Sequence, residues 1–448
     1  MARGPHLPCA AMSGLLLATG TSALLLYLGR RMSFFRDVPG INGHGLVWLF
    51  GLKLLAGAIL WVVYTQVYPD RATADIFKYF DDSAVMYAAL WDRPMDFVRM
   101  LTGVGNDTPY FTERYYHVMN NWVRQYETTV YNDSHTMIRL NAVLRLVSHG
   151  HYGVHAVYAS ALSMVGLVAL QRALAPWARG MERGLAALVF LWPSMLLWPS
   201  APLKECLLLP GLGLFLYGVL PGAGRPSWAV LAGAVVGLGV MLVVKYYVLM
   251  CLAPGLLALL LQRWIGGPVL RHALFTHLAL LALVLASGTL FPGHDVLEML
   301  RVKQRDFINM AVAAQSGSLQ QVPPLGEGAW SFVRNAPHAL AMTFLSPFLT
   351  AGRGAVGLAG AVENVALVLL PLLALRWHRP WRTMDAGALM FAGSFVLLLA
   401  LLIGWTVPVV GALVRYRMPL LPFVGLIALL TVDPDRLPPF AARLIRPR

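Results

Sequence analysis

The chain has 448 residues, 58% of them hydrophobic and 12% charged, with a net charge of +14 at pH 7. Soluble proteins carry roughly 25% charged residues, and mean hydropathy here is +0.63, so the composition excludes an ordinary soluble domain and predicts an all-α, polytopic membrane helix bundle. The basic residues cluster between apolar runs, as the positive-inside rule requires, and none is interleaved with aromatics in the manner of a nucleic-acid surface.

The first apolar run, Ala11 to Leu28, is long enough to span. Its basic flank, Arg30, Arg31 and Arg36, follows it, whereas a secretory leader carries its charge in front. It is expected to be a first span with the N-terminus outside. The second span is expected from Leu46 to Tyr68, closing on the interfacial residues Tyr64, Tyr68 and Pro69. Lys53, in its first third, is expected to snorkel to the near headgroups.

The stretch Ala74-Asp75-Ile76-Phe77-Lys78-Tyr79-Phe80-Asp81-Asp82-Ser83 follows. It packs three carboxylates, one lysine and three aromatics into ten residues of a chain with only 21 Asp and Glu. On a helix, Asp75, Lys78, Tyr79 and Asp82 share one face, with Asp75 and Asp82 about 10 Å apart along the axis. Phe77, Phe80 and Ala84 point elsewhere, to lipid or to other helices. Two readings stand: a polar helix start neutralised by Lys78, or an acidic active-site edge at the membrane surface.

Asp70 to about Tyr152 is the largest polar segment. Apolar spacing predicts amphipathic interfacial helices over Ala84–Leu101 and Thr136–Val147. Between them, Tyr110, Phe111, Tyr115, Tyr116, Trp122, Tyr126 and Tyr131 form an aromatic patch, which suits either gripping sugar rings or lipid headgroups or packing as a cap on itself. Asn106-Asp107-Thr108 and Asn132-Asp133-Ser134 match a glycosylation sequon, a short pattern that matters only in a eukaryotic secretory setting. His149, His151 and His155 follow without a nearby carboxylate; a histidine group at the start of a span is favoured over a metal site.

Further spans are expected over Val154–Leu170, Leu185–Trp198, a fifth ending near Leu220, Trp228–Val244, Val248–Leu261, Ala273–Phe291, Val356–Leu375, Ala386–Trp405 and Leu420–Val432. The turn Trp198-Pro199-Ser200-Ala201-Pro202-Leu203-Lys204-Glu205 is a break of the kind tolerated where it lines a cavity, or a hairpin with an interfacial salt bridge. Lys245-Tyr246-Tyr247 suits a phosphate or an interfacial anchor. Residues 292–336 are expected as a basic external loop, with a mobile stretch from Gln315 to Glu327. Glu363, inside a span, is a functional candidate or half of a buried pair with an arginine. The basic clusters, Arg225 and the tail arginines up to Arg448 among them, then fit about eleven spans with the N-terminus outside and the C-terminus cytoplasmic. That count places Asp75, Lys204-Glu205, Lys245-Tyr246 and Arg415/Arg417 on one external face. The expected organisation is 1–68, two spans; 69–153, an external loop with juxtamembrane helices; 154–291, spans three to eight; 292–355, a second external loop; and 356–448, the last three spans and tail.

In this layout the chain resembles the bacterial GT-C membrane glycosyltransferases, which use polyprenyl-phosphate sugars. Asp75 occupies the place of their external-loop acidic residue. Pro199-Ser200-Ala201-Pro202-Leu203-Lys204-Glu205 is similar to a Ser-Gly-x-x-Lys-Glu turn of some members. Arg415-Tyr416-Arg417-Met418-Pro419 is similar to an Arg-Tyr-Arg-x-Pro ending before the last span. The chain departs from the family in that the acidic loop follows the second span, and no clear Asp-Glu pair is present. The resemblance implies sugar transfer to a glycan, lipid or protein acceptor at the external face of a bacterial inner membrane, as part of cell-envelope polysaccharide synthesis. It implies Asp75 as base, with Asp82 the second choice. It implies Lys78, Tyr79, Lys204, Glu205, Lys245, Tyr246, Arg415 and Arg417 as substrate-binding residues. A divalent metal (Mg²⁺ or Mn²⁺) held by Asp81 or Asp82 is the alternative to bare cations. The rival expectations are a transporter or flippase for a lipid-linked glycan, or a non-catalytic component of polysaccharide assembly. No P-loop, GxSxG, HExxH or dinucleotide fingerprint is present.

Overall fold

Inside a bilayer every backbone N–H and C=O must find its partner within the protein, so long apolar runs become helices. The computed structural model is all-helical in that way. Among the described residues, extended backbone pairs only at the isolated bridges Leu319–Val409 and His378–Val432. The structure describes residues 7–68, 71, 74–123, 131–220, 222, 227–347 and 354–446. The readings of Pro69, Asp70, Tyr126, Arg225 and Arg448 lie outside them. Seven described helices are long and apolar enough to cross a membrane, or eight if the bent pair Pro193–Ser200 and Glu205–Val219 is one span. The protein is therefore a multi-pass membrane protein by length and composition of its helices. The chain divides into two compact units: Met1–Ala173 with Leu196–Lys245, and Leu174–Met195 with Tyr246–Arg448.

In the first unit, Asn42 opens the Gly43–Val62 helix by accepting the Gly45 N–H at 2.7 Å. The helix presses on the 198–204 turn at Gly57, where a Cβ would lie 2.7 Å from the Ser200 carbonyl oxygen. Lys53 does not snorkel: only 1% of it is exposed. Its place on the helix turns the ammonium inward, within electrostatic reach of Cys206. The turn exists because Pro199 and Pro202 cannot donate to a helix ladder, and the helices on either side are bent by 115°.

The polar segment folds as a helical cap. One amphipathic helix was expected over Ala84–Leu101; two form, Asp75–Asp92 and Pro94–Thr102. Pro94 disfavours helical backbone at Arg93, whose φ and ψ are −141° and 81°. The Ser134–Ser148 helix packs along Asp75–Asp92. Their apolar faces meet in a shared core of Met86, Ala89, Met137, Ile138 and Ala142.

In the second unit, Ala329–Leu345 lies against Ala386–Thr406, with Gly404 seated on the Ala339 carbonyl. The expected fourth span, Leu185–Trp198, is not continuous. Helix Glu182–Phe190 stops, and Pro193–Leu197 restarts after Leu191 and Trp192, where Pro193 withholds an N–H. The expected spans Trp228–Val244 and Val248–Leu261 are the two parts of a helical run, Trp228–Ile265, broken at Lys245. The expected mobile stretch is instead tethered. The Gln304 amide donates to the carbonyls of Pro323 (3.1 Å) and Trp405 (2.8 Å) and accepts from Leu325 N–H (2.9 Å).

Candidate functional site

Asp75 is the first residue of its helix, where a carboxylate complements the helix dipole. Lys78 lies one turn on, its Nζ 3.5 Å from Asp75 Oδ1. Tyr79, at i+4 from Asp75, lies on the same face and is buried. Lys204 Nζ stands 5.4 Å from the Tyr79 ring centroid, a cation–π contact. Lys204 also pairs with Asp133 at 2.7 Å and reaches Ser134 Oγ at 3.4 Å. Asp75 and Lys78 thus pair on the helix, while Tyr79 of the same helix meets Lys204, which Asp133 joins.

The adjacent Lys204 and Glu205 turn to different partners. Glu205 accepts from Lys245 Nζ at 2.8 Å, and their side chains are 2% and 4% exposed. Those of Lys204 and Asp133 are 16% and 24% exposed. The difference decides which lysine can serve a ligand. Removing one partner of a buried pair costs about 3–5 kcal/mol, while a solvent-reached pair is worth about 0–1 kcal/mol. Of the two lysines, Lys204 is the exchangeable one. Lys245 holds the broken Trp228–Ile265 run to the start of the Glu205–Val219 helix.

The other carboxylates of the stretch have structural work. Asp81 takes a bidentate grip from Arg71, at 2.6 and 2.7 Å. Asp82 does not share an open face with Asp75. It is buried and accepts the backbone N–H groups of Asn120 (2.8 Å) and Asn121 (2.9 Å) and the Asn121 amide (3.3 Å). Burial outweighs these bonds and holds its pKa above the ordinary 3.8. Among the described residues no three His, Cys, Asp or Glu cluster for a metal, and Asp81 and Asp82, held by Arg71 and by Asn120–Asn121, do not fit a Mg²⁺ or Mn²⁺ site there.

The aromatic patch is largely the cap's own core. Tyr116 stacks on Trp122 with centroids 4.5 Å apart, Trp122 on His135 at 4.0 Å, and Arg139 lies over Trp122 at 5.4 Å. Phe111, Tyr115, Tyr116 and Trp122 are buried; Tyr110 and Tyr131 are exposed. Asp96 accepts from the Tyr110 hydroxyl at 2.6 Å and the Tyr115 hydroxyl at 2.9 Å. Both sequon amides are engaged, Asn106 with the Tyr116 hydroxyl and Asn132 with the Asn121 and Trp122 carbonyls. His155 is locked between Ser148 Oγ and Asn141 Oδ1, at 2.7 Å each. Arg145 donates to Ser83 Oγ (2.8 Å) and the Phe80 carbonyl (2.7 Å), with its guanidinium 4.1 Å from the Phe80 ring centroid. It holds the helix that carries Asp75.

Within the second unit, Arg417 and Glu363 pair at 2.9 Å with fully buried side chains. Glu363 also accepts from Ser194 N–H and Oγ, both at 2.9 Å, and Arg417 donates to the carbonyls of Thr343 (3.1 Å) and Ser346 (3.0 Å). Glu363 is therefore half of a buried pair, one of its two sequence readings, and Arg417 is engaged as an anchor. Arg415 lies over the Tyr416 ring at 5.5 Å, and Tyr246 meets Tyr247 edge-on at 6.5 Å.

Two residues escaped the reading of the sequence. Arg145 falls inside the expected Thr136–Val147 helix with no role assigned to it, and Asp133 is only the middle of a sequon. Only the fold brings them to Phe80 and Lys204. Comparison with family models, curated proteins and solved structures finds no match, so the functional reading rests on the site's own geometry and chemistry.

Proposed function

We propose that the protein is a membrane glycosyltransferase that moves a sugar from a polyprenyl-phosphate carrier to a glycan, lipid or protein hydroxyl on the external membrane face. The observation that carries this reading is a part-exposed carboxylate, Asp75, one helical turn from Tyr79, over which the exchangeable cation Lys204 lies. In the proposed reaction the acceptor oxygen attacks the anomeric carbon from the face opposite the phosphate. The bond between that carbon and the phosphate oxygen breaks, and the phosphate leaves with the electron pair. The acceptor's proton passes to an Asp75 oxygen, general-base help worth about 10² to 10⁴ in rate. Lys204 and Lys78 steady the charge growing on the phosphate. Asp82, with its oxygens taken by Asn120 and Asn121, is left out of the chemistry. The proposal includes about eleven spans, the N-terminus outside, the tail in the cytoplasm and a bacterial inner-membrane setting.

The test is sugar transfer by purified full-length protein supplied with a panel of polyprenyl-phosphate sugars and acceptors. Release of lipid phosphate by the wild type, cut at least about 100-fold in Asp75→Asn with the fold intact, supports the reading. Equal turnover in the two proteins removes Asp75 as base. The buried pairs Glu205–Lys245 and Glu363–Arg417 favour a second reading, a transporter or flippase with charges inside spans. In that case a lipid-linked glycan crosses proteoliposome membranes without chemistry, and Asp75→Asn leaves the flux unchanged.

A further inference from the structure

Among the described residues of the first unit, Lys204 pairs with a carboxylate that lies outside its own helix turn and is part-exposed. Lys78 is tied to Asp75 on the same helix, and Lys245 is tied to Glu205 with both side chains buried. The Lys204 partner, Asp133, comes from the start of the Ser134–Ser148 helix, and its side chain bonds to Lys204 while capping none of that helix's N–H groups. Ser134 Oγ lies beside the same ammonium, and the Tyr79 ring supports it from another side. An ammonium, a hydroxyl and a displaceable carboxylate around one point match what a phosphate oxygen needs: a charge-assisted donor and a neutral donor, with an anion already standing in the place the ligand would take.

We propose that Asp133 is a built-in surrogate anion that a phosphate group displaces from Lys204. The Lys204–Ser134–Tyr79 cluster is then a phosphate seat that the chain keeps closed with its own carboxylate. On binding, the phosphate oxygens take Lys204 Nζ and Ser134 Oγ, and Asp133 swings to water, where it keeps its charge. No bond is made or broken. The seat discriminates by charge. A neutral lipid alcohol cannot displace Asp133, whereas a phosphate ester, with more charge and more acceptor oxygens than a carboxylate, can. That the phosphate is lipid-linked rests on the glycosyltransferase reading; the exchange itself does not.

The test is equilibrium binding to full-length protein in nanodiscs, with farnesyl phosphate, farnesol and inorganic phosphate as probes, for wild type, Asp133→Asn, Lys204→Gln and the double variant. Asp133→Asn is expected to tighten phosphate binding about 3- to 5-fold, the size of a solvent-reached ion pair no longer competing. Lys204→Gln is expected to weaken it at least about 10-fold, since a charged donor to phosphate is lost. In the Lys204→Gln background the effect of Asp133→Asn is expected to vanish. Farnesol binding is expected to stay the same throughout. Tightening confined to farnesyl phosphate assigns a lipid phosphate as occupant. Equal tightening for inorganic phosphate keeps the exchange and assigns a free phosphate, which removes support from the lipid-linked donor. If Asp133→Asn leaves phosphate affinity unchanged or weaker while melting temperature and circular dichroism match the wild type, the exchange is overturned, whatever the transfer assay shows.

Discussion

Two carboxylates of the cap respond to pH in opposite senses because their surroundings differ. Asp82 is buried, and burial raises its pKa above 3.8 despite the bonds from Asn120 and Asn121. Its native form holds more protons than the unfolded chain between 3.8 and the raised value, so its contribution to stability falls as pH climbs through that window. For Asp96, burial also pushes upward but is outweighed by the bonds from Tyr110 and Tyr115 and the charges of Arg93 and Arg99, and its pKa lies below 3.8. Its contribution is present above 3.8 and is lost as pH falls through the lowered value. Together the two favour a cap that is best protected near the ordinary carboxylate pKa. Hydrogen exchange of residues 94–119 against pH should show this. Asp96→Asn is expected to flatten the acid side and to loosen the cap by about 1–3 kcal/mol, the cost of disturbing bonds to a charged group. Asp82→Asn is expected to flatten the other side. An unchanged profile in both variants would mean that these carboxylates do not hold the cap. The crowding of Asp75, Asp81 and Asp82 was legible in the sequence, but their division of labour was not. That division depends on Arg71 and on the Asn120–Asn121 backbone, and the Asn120–Asn121 partners stand nearly forty positions from Asp82.

Elements bring Lys204 to its place, and one close approach does much of it. At Gly57 the Gly43–Val62 helix touches the Ser200 carbonyl, where a Cβ would stand 2.7 Å from the oxygen, whereas a Cβ at Gly51 on the same helix meets nothing within 4 Å. The oxygen is backbone, so a clash moves the turn itself. Gly57→Ala is expected to destabilise the protein by about 1–3 kcal/mol, as overpacking does, and to weaken phosphate-ester binding through a shifted Lys204. Gly51→Ala is expected to be neutral or slightly stabilising, since alanine is the better helix former. Thermal unfolding in detergent of the two variants decides it; equal melting temperatures would show that the helix and turn are not pressed together. At this scale the sequence was informative where a single physical rule dominates. Apolar length located the Gly43–Val62, Val269–Leu290 and Ala386–Thr406 helices, and prolines marked the 198–204 turn. It was poor where two rules compete. The 315–327 stretch has the composition of a mobile loop, yet one side chain, Gln304, ties it down. Lys53 has the position of a snorkelling lysine, yet its helix face turns inward.

At the scale of the whole molecule, whether the Gly354–Arg376 helix crosses changes the number of spans by one. Gly354–Arg376 has 23 residues, about 34 Å at 1.5 Å per residue, enough for a hydrocarbon core of about 30 Å. It carries Glu363. A lone carboxylate in a span is costly. This one is met by Arg417 and by two donors from Ser194, so the charge is no obstacle to crossing. If the helix crosses, the exposed positions Asn309 and Arg382 lie on opposite sides of the membrane; if it does not, they share a side, because no other candidate span among the described residues falls between them. Single cysteines at Glu113, Asn309, Arg382 and Arg436, in a chain whose three cysteines are replaced, answer this with a membrane-impermeant maleimide. Labelling of Glu113→Cys and Asn309→Cys in intact cells, with Arg382→Cys and Arg436→Cys reacting only after lysis, is the pattern expected for about eleven spans and an external Asp75. Labelling of Arg382→Cys together with Asn309→Cys would take Gly354–Arg376 out of the membrane and lower the count. Protection of Glu113→Cys in intact cells would put the cap, Asp75 and Lys204 in the cytoplasm, and an external glycosyl transfer would then have no site.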